Sequence, residues 1–147
     1  MICVPITSKT VEEAVEEIKK AETVADIIEL RVDYLKNPDL KVLINATQKQ
    51  VIVTYRKKSE GGLYDGDEKG RVDLLLNAIA EGADYVDIEL STPEPLLEEL
   101  IKKKAETRFI LSYHNFQQVP EDLQVTFDRM FQKGFEIIKI AVMANSI

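Results

Sequence analysis

Short β-branched runs alternate with stretches of helical period along this chain, and that rhythm constrains the fold more than any other feature. The runs are ICVPI from Ile2, DIIELRVDY from Asp26, QVIVTYR around Val51, DYVDIEL from Asp84, RFILSYH from Arg108 and EIIKIAV from Glu136. Between them, Val11, Ala14, Val15 and Ile18 share one helix face, a short helix is predicted from about Pro38 to Thr47, and Val72, Leu75, Leu76 and Ile79 form a stripe that stops near Gly82. Leu96, Leu97, Leu100 and Ile101 mark a fourth helix, and Leu123, Phe127, Met130 and Phe131 a fifth that ends at Gly134. Thr10 with Glu13 reads as a capping box, and Thr92 with Pro93 as the start of the fourth helix.

Six strands separated by five helices demand a parallel sheet. The unit length fits a (β/α)8 barrel, for which roughly 250 residues is typical. The expectation is therefore an α/β fold of the TIM-barrel type in one domain over residues 1–147, incomplete at about six parallel strands and five helices. An open doubly wound sheet competes, because six strands satisfy it with nothing missing.

Polar alternation decides between the two. A doubly wound sheet lies under helices on both faces, so its central strands should be almost continuously apolar. Here Ile28, Leu30 and Val32 point one way while Glu29, Arg31 and Asp33 point the other, and Val86, Ile88 and Leu90 oppose Asp87 and Glu89. Arg56 falls on the Thr54 face, His114 on the Ser112 face, and Lys139 opposite Ile138 and Ile140. One face thus collects Glu29, Arg31, Arg56, Glu89, His114 and Lys139. Helices cover the apolar face, so the charged face lines a barrel lumen, near the carboxyl ends of the strands where barrel active sites are built.

Composition narrows the partners. A net charge of -7 argues against a surface for nucleic-acid phosphates. No apolar run approaches the ~20 residues that span a bilayer, so a membrane is not expected. Cys3 is the only cysteine and the start MICVPITSKT lacks a secretory pattern, which together point to the cytoplasm. EGGLYDGDEKG has neither phosphate-loop nor EF-hand spacing, and one histidine and one cysteine far apart make a poor zinc set, so neither a metal nor a cofactor is expected.

Lys139 carries the chemistry. Lysine is rarely buried without a partner, yet here it interrupts an apolar strand. Desolvation and cations such as Arg31 or Arg56 favour a neutral amine, which attacks a carbonyl to form a Schiff base. The protonated imine draws electrons from the next carbon, where a base can remove a proton and a β-hydroxyl can leave. An imidazole, which titrates near 6.5 in water, suits both proton transfers, and a nearby carboxylate would fix its orientation. The residues alone reach a lysine-dependent lyase, either a dehydratase or an aldolase.

The strings ELRVD, TYRKKSEGG, SYHNF and KIAVMANS, in order along the whole chain, resemble the signature strands of type I 3-dehydroquinate dehydratase. That resemblance implies that Lys139 forms an imine with the C3 ketone of 3-dehydroquinate, and that His114 removes the C2 proton and protonates the leaving C1 hydroxyl. Glu60 is then the carboxylate paired with His114, and Glu29, Arg31 and Arg56 bind the substrate. The family builds a complete eight-stranded barrel, with an arginine, a serine and a glutamine on its last two strands. This chain is expected to lack those two units, either because it is a fragment of a longer protein or because another chain supplies them, and a homodimer or strand-completing partner is expected. The alternative is an inactive barrel that serves as an assembly or partner-binding module.

Overall fold

A computed structural model describes residues 1–144 of the chain. Its strands are β1 (Cys3–Ile6), β2 (Ile27–Arg31), β3 (Gln50–Thr54), β4 (Tyr85–Glu89), β5 (Arg108–Asn115) and β6 (Ile137–Val142). The helices between them are α1 (Val11–Ala21), α2 (Leu40–Ile44), α3 (Glu68–Ala80), α4 (Glu94–Lys102) and α5 (Leu123–Gln132). All five strand pairs are parallel, and the spatial order is simply β1-β2-β3-β4-β5-β6. A doubly wound sheet would reverse direction from its first strand. The sequential order is that of a curled half-barrel, with β1 and β6 as its edges among the described residues.

The helix-facing side holds the main core, where Ile28, Leu30, Val53, Val86 and Ile88 pack under Ile18, Leu75 and Leu100. The opposite face opens on a small apolar floor of Ile27, Ile52, Tyr85 and Ile110 near the amino ends of the strands. The Arg108 guanidinium lies 4.0 Å from the Tyr85 ring centroid there, so cation–π attraction seals the floor from below. Polar residues stand above this floor, as the alternation predicts.

Local details differ from the sequence reading in instructive ways. Thr10 Oγ1 accepts the Glu13 N–H at 3.2 Å, but the Glu13 carboxylate takes the N–H of Lys9, so the capping box closes one residue early. Thr92 does not cap α4. Its hydroxyl accepts from Arg71 Nη2 at 2.6 Å, and Pro93 takes the cap position. On α3 the buried stripe is Val72, Leu75, Ala78 and Ile79 with Arg71 beside it, and Leu76 is only partly buried. Of the four apolar residues assigned to α5, Met130 is fully buried against Leu90 and Leu111, whereas Phe127 and Phe131 are exposed. No described element lies beyond α5 and β6 to cover that side.

Candidate active site

The connection from β3 to α3 is a compact hook. Lys58–Glu60 form a single 3-10 turn, and Gly61 ends it at φ 80°, the left-handed region that favours glycine. Tyr64 N–H then returns to Arg56 O at 3.0 Å and Lys58 N–H to Tyr64 O at 2.9 Å, which doubles the segment back over the sheet. A side chain at Gly62 would put its Cβ 2.0 Å from the Arg56 carbonyl oxygen, so only glycine permits this return. The hook aims Glu60 at the end of β5.

There Glu60 Oε2 lies 3.1 Å from His114 Nδ1, and Glu60 Oε1 accepts the Ser91 hydroxyl at 2.8 Å. Both partners are largely buried, with side-chain exposures of 6% for His114 and 10% for Glu60. Burial works against a charged Glu60 carboxyl, but hydrogen bonds from His114 and Ser91 and the nearby charge of Arg56 outweigh it and hold the group below the usual carboxylate range. An anionic Glu60 fixes the tautomer by accepting Nδ1–H, which leaves the lone pair on Nε2. The Phe116 ring lies beside the imidazole, with centroids 5.8 Å apart.

Lys139 stands on the neighbouring strand and the same face. Ser112 is in register with Lys139 and His114 with Ala141, and because residues two apart on a strand share a face, His114 and Lys139 both project into the lumen. Lys139 Nζ donates to Asp87 Oδ2 at 3.3 Å and lies 3.6 Å from Glu29 Oε1, while Glu29 Oε1 also accepts the Thr54 hydroxyl at 2.8 Å. The charged groups in contact with the amine are therefore carboxylates, not the cations expected from sequence. The lysine is also less sheltered than an apolar strand suggested: β6 is an edge among the described residues, and 40% of the Lys139 side chain is exposed.

The two arginines are both engaged by carboxylates. Arg31 grips Asp33 with a two-point fork, Nε to Oδ1 at 3.0 Å and Nη2 to Oδ2 at 2.8 Å, and stacks 5.1 Å from the Tyr34 ring centroid. Arg56 is 4% exposed, with Nη2 on Asp87 Oδ2 at 2.7 Å and Nη1 on Glu89 Oε1 at 3.2 Å and Ser112 Oγ at 2.8 Å. Asp87 is fully enclosed. Desolvation opposes its charge, but Arg56 and Lys139 prevail and hold its carboxyl below the ordinary range. Glu89 goes the other way: burial raises it despite the attraction of Arg71 and Arg56. Its contacts, Arg56, the Lys57 N–H at 3.1 Å and Arg71 Nη1 at 3.6 Å, are those of a residue that balances the charge of the two arginines.

The sequence reading left Asp87, Ser112, Ser91 and Arg71 off the list of site residues. Asp87 sits two residues before Glu89 on the same strand face, and Arg71 lies four before Leu75 on the buried stripe, so both carried a legible signal. Ser112 became visible only with the register that sets it beside Lys139. Among the described residues no cluster of three His, Cys, Asp or Glu side chains has the geometry to hold a metal ion.

Comparison with known proteins decides the family. Residues 2–147 match the family model described as type I 3-dehydroquinase. The chain belongs to that family. It is 41% identical over 155 residues to a bifunctional 3-dehydroquinate dehydratase/shikimate dehydrogenase of Arabidopsis thaliana, covering 100% of this chain and 26% of that protein. It is 40% identical over 153 residues to a 3-dehydroquinate dehydratase of Methanopyrus kandleri, covering 99% of this chain and 68% of the relative. The fold is similar to a Clostridium difficile type I 3-dehydroquinate dehydratase crystallised with covalently modified comenic acid, at TM-score 0.89 and 28% identity over 99% of this chain and 64% of that one. An Enterococcus faecalis 3-dehydroquinate dehydratase gives TM-score 0.87 at 29% identity over 99% and 67%. The chain thus spans a quarter of the bifunctional plant protein and about two thirds of these other family members. The last two residues of the KIAVMANS motif lie outside the described residues.

Proposed function

We propose that this chain carries the Schiff-base chemistry of a type I 3-dehydroquinate dehydratase, converting 3-dehydroquinate to 3-dehydroshikimate by loss of water. The observation that supports it is the placement of Lys139 and the Glu60-oriented His114 on adjacent strands and one lumen face. The Lys139 amine adds to the C3 ketone, whose oxygen leaves as water, and the resulting iminium acidifies the C2 proton. His114 Nε2 takes that proton, the electrons move into an enamine, and the imidazolium returns a proton to the C1 hydroxyl as it departs. Hydrolysis of the imine then releases the product and restores the amine. Every atom is accounted for without a cofactor.

Glu29 and Arg31, at the carboxyl end of β2, and Arg56, just past the end of β3, are proposed to meet the substrate's hydroxyl and carboxylate groups. The same reading treats residues 1–147 as one cytoplasmic domain. No described helix is long and apolar enough to cross a membrane. It also takes a homodimer or strand-completing partner against β6, supported by that edge, unpaired among the described residues, and by the exposed Val125, Phe127 and Phe131 of α5. The test is reductive trapping. Incubation with 3-dehydroquinate and borohydride should add the mass of the reduced adduct to Lys139, and its absence there would refute the reading.

A further inference from the structure

We propose that Arg71, on α3, is a positioning residue for the Glu60–His114 pair, which it serves through the Ser91–Thr92 turn on one side and the base of the hook on the other. The proposal deepens the reading of His114 as the base and rests on it. Ser91 is the link that touches Glu60. Among the described residues the Glu60 carboxylate makes two side-chain hydrogen bonds, Oε1 to the Ser91 hydroxyl at 2.8 Å and Oε2 to His114 Nδ1 at 3.1 Å. The last torsion of a glutamate is soft, so a carboxylate held at one oxygen swings readily. Held at both, it keeps Oε2 on the line of Nδ1–H.

Arg71 fastens both sides of the Ser91–Glu60 contact. Its Nη2 donates to Thr92 Oγ1 at 2.6 Å, and the Thr92 N–H closes on Glu89 O at 2.9 Å, which fixes the turn that presents Ser91. Its Nε and Nη2 also reach Glu68 Oε2, at 3.2 and 2.8 Å, and Glu68 Oε1 accepts Lys57 Nζ at 2.9 Å. Lys57 is the base of the hook: its carbonyl accepts the Glu60 and Gly62 N–H groups, each at 3.0 Å. One planar guanidinium thus sets the distance between turn and hook, a task that a point charge on a flexible stem performs poorly. Arg71 is fully buried, so it touches no substrate. Nor does stability account for it. A buried ion pair is often no better than a well-packed apolar residue, and its neighbours on the stripe are Val72, Leu75, Ala78 and Ile79.

The test reads His114, the only histidine in the chain, with and without turnover. In protein carrying isotope-labelled histidine, long-range proton–nitrogen NMR in mildly alkaline buffer separates a ring nitrogen that carries a proton from one that carries a lone pair. The parent should show the proton fixed on Nδ1. Ser91→Ala and Thr92→Val free the carboxylate to turn, so exchange between tautomers should draw the two nitrogen resonances together in both. With 3-dehydroquinate, Ser91→Ala should lower kcat about tenfold, the order of one hydrogen bond to a charged group, with KM unchanged. Arg71→Met and Thr92→Val should lower kcat several-fold, again without a change in KM. None of these losses should appear in a Glu60→Ala background, where a merely structural contribution would persist. Resonances that stay apart in Ser91→Ala or Thr92→Val overturn the proposal, as does a rise in KM alone or an undiminished loss of kcat in the Glu60→Ala background. If Arg71→Met does not fold by circular dichroism, Thr92→Val decides for Arg71, because it removes only the acceptor of Nη2 in nearly the same shape, and parental kinetics there overturn the proposal. A parent that forms neither imine nor product while the resonances still converge in the variants would sink the dehydratase reading and leave this one standing.

Discussion

Replacing Glu60 by Gln separates orientation of the base from everything else the site does. In the parent, Glu60 Oε2 takes the proton of His114 Nδ1 at 3.1 Å and leaves Nε2 as the base. An amide in the same place can present N–H to Nδ1, which drives the imidazole proton onto Nε2 and removes the lone pair from the side that must abstract. The charge-assisted bond alone contributes about 1.5–3 kcal/mol, or roughly 10–150-fold in rate if it is made only when the imidazole carries charge. Misplacing the tautomer removes general-base catalysis itself, worth about 10²–10⁴-fold, so we expect kcat to fall into that range. Stability should change by about 1 kcal/mol or less, because the Gln carbonyl can still accept the Ser91 hydroxyl at 2.8 Å and a partly buried charge has gone. Product formation is followed by ultraviolet absorption of the conjugated enone, and imine formation by borohydride trapping. Turnover should collapse while trapping at Lys139 persists. A Glu60→Gln protein with kcat within threefold of the parent would refute the orienting role, and loss of trapping together with turnover would show that Glu60 serves the lysine instead.

Other outcomes follow from the same geometry. Lys139→Met should abolish trapping yet shift stability by no more than about 1 kcal/mol, since the side chain is 40% exposed and Asp87 keeps Arg56; thermal melts and trapping measure both. Asp87 is held low, so its stabilising contribution is present above about pH 4 and lost as pH falls through its lower folded value; Asp87→Asn should flatten the urea-midpoint slope below pH 4. Glu89 is raised, so its contribution is present below about pH 4 and lost as pH rises through the folded value, and Glu89→Gln should flatten the slope above pH 4. Gly62→Ala should destabilise by at least about 2 kcal/mol, because the added Cβ meets the Arg56 carbonyl at 2.0 Å; Gly61→Ala should cost about 1–2 kcal/mol, since Phe116, at 2.4 Å, can swing aside.

Periodicity made most of the fold legible. Strand alternation separated Ile28, Leu30 and Val86 from Glu29, Arg31 and Asp87, and that split alone predicted which face becomes the lumen. What it could not give was pairing across strands. Arg56 lies on the lumen face by alternation, yet whether its guanidinium meets solvent or the Asp87 carboxylate depends on the parallel register that brings Thr54 beside Asp87. The environment of Lys139 differs from the sequence expectation for the same reason, because sharing a face with Arg31 and Arg56 says nothing about Asp87, which stands between Arg56 and the amine, or about Glu29 beside it. The exposure of Phe127 and Phe131 was equally hidden: a helix stripe predicts an apolar face but not whether a neighbour covers it.

The central claim is that the amine at 139 and the imidazole at 114 act on neighbouring carbons of one ketone. Deuterium exchange at C2 of 3-dehydroquinate, followed by NMR in heavy water, tests this directly because it needs the iminium to acidify the carbon and the base to take its proton. The account predicts exchange with the parent chain, its loss in Lys139→Met and in His114→Ala, and a double variant no worse than either. Persistent exchange in either single variant would contradict it.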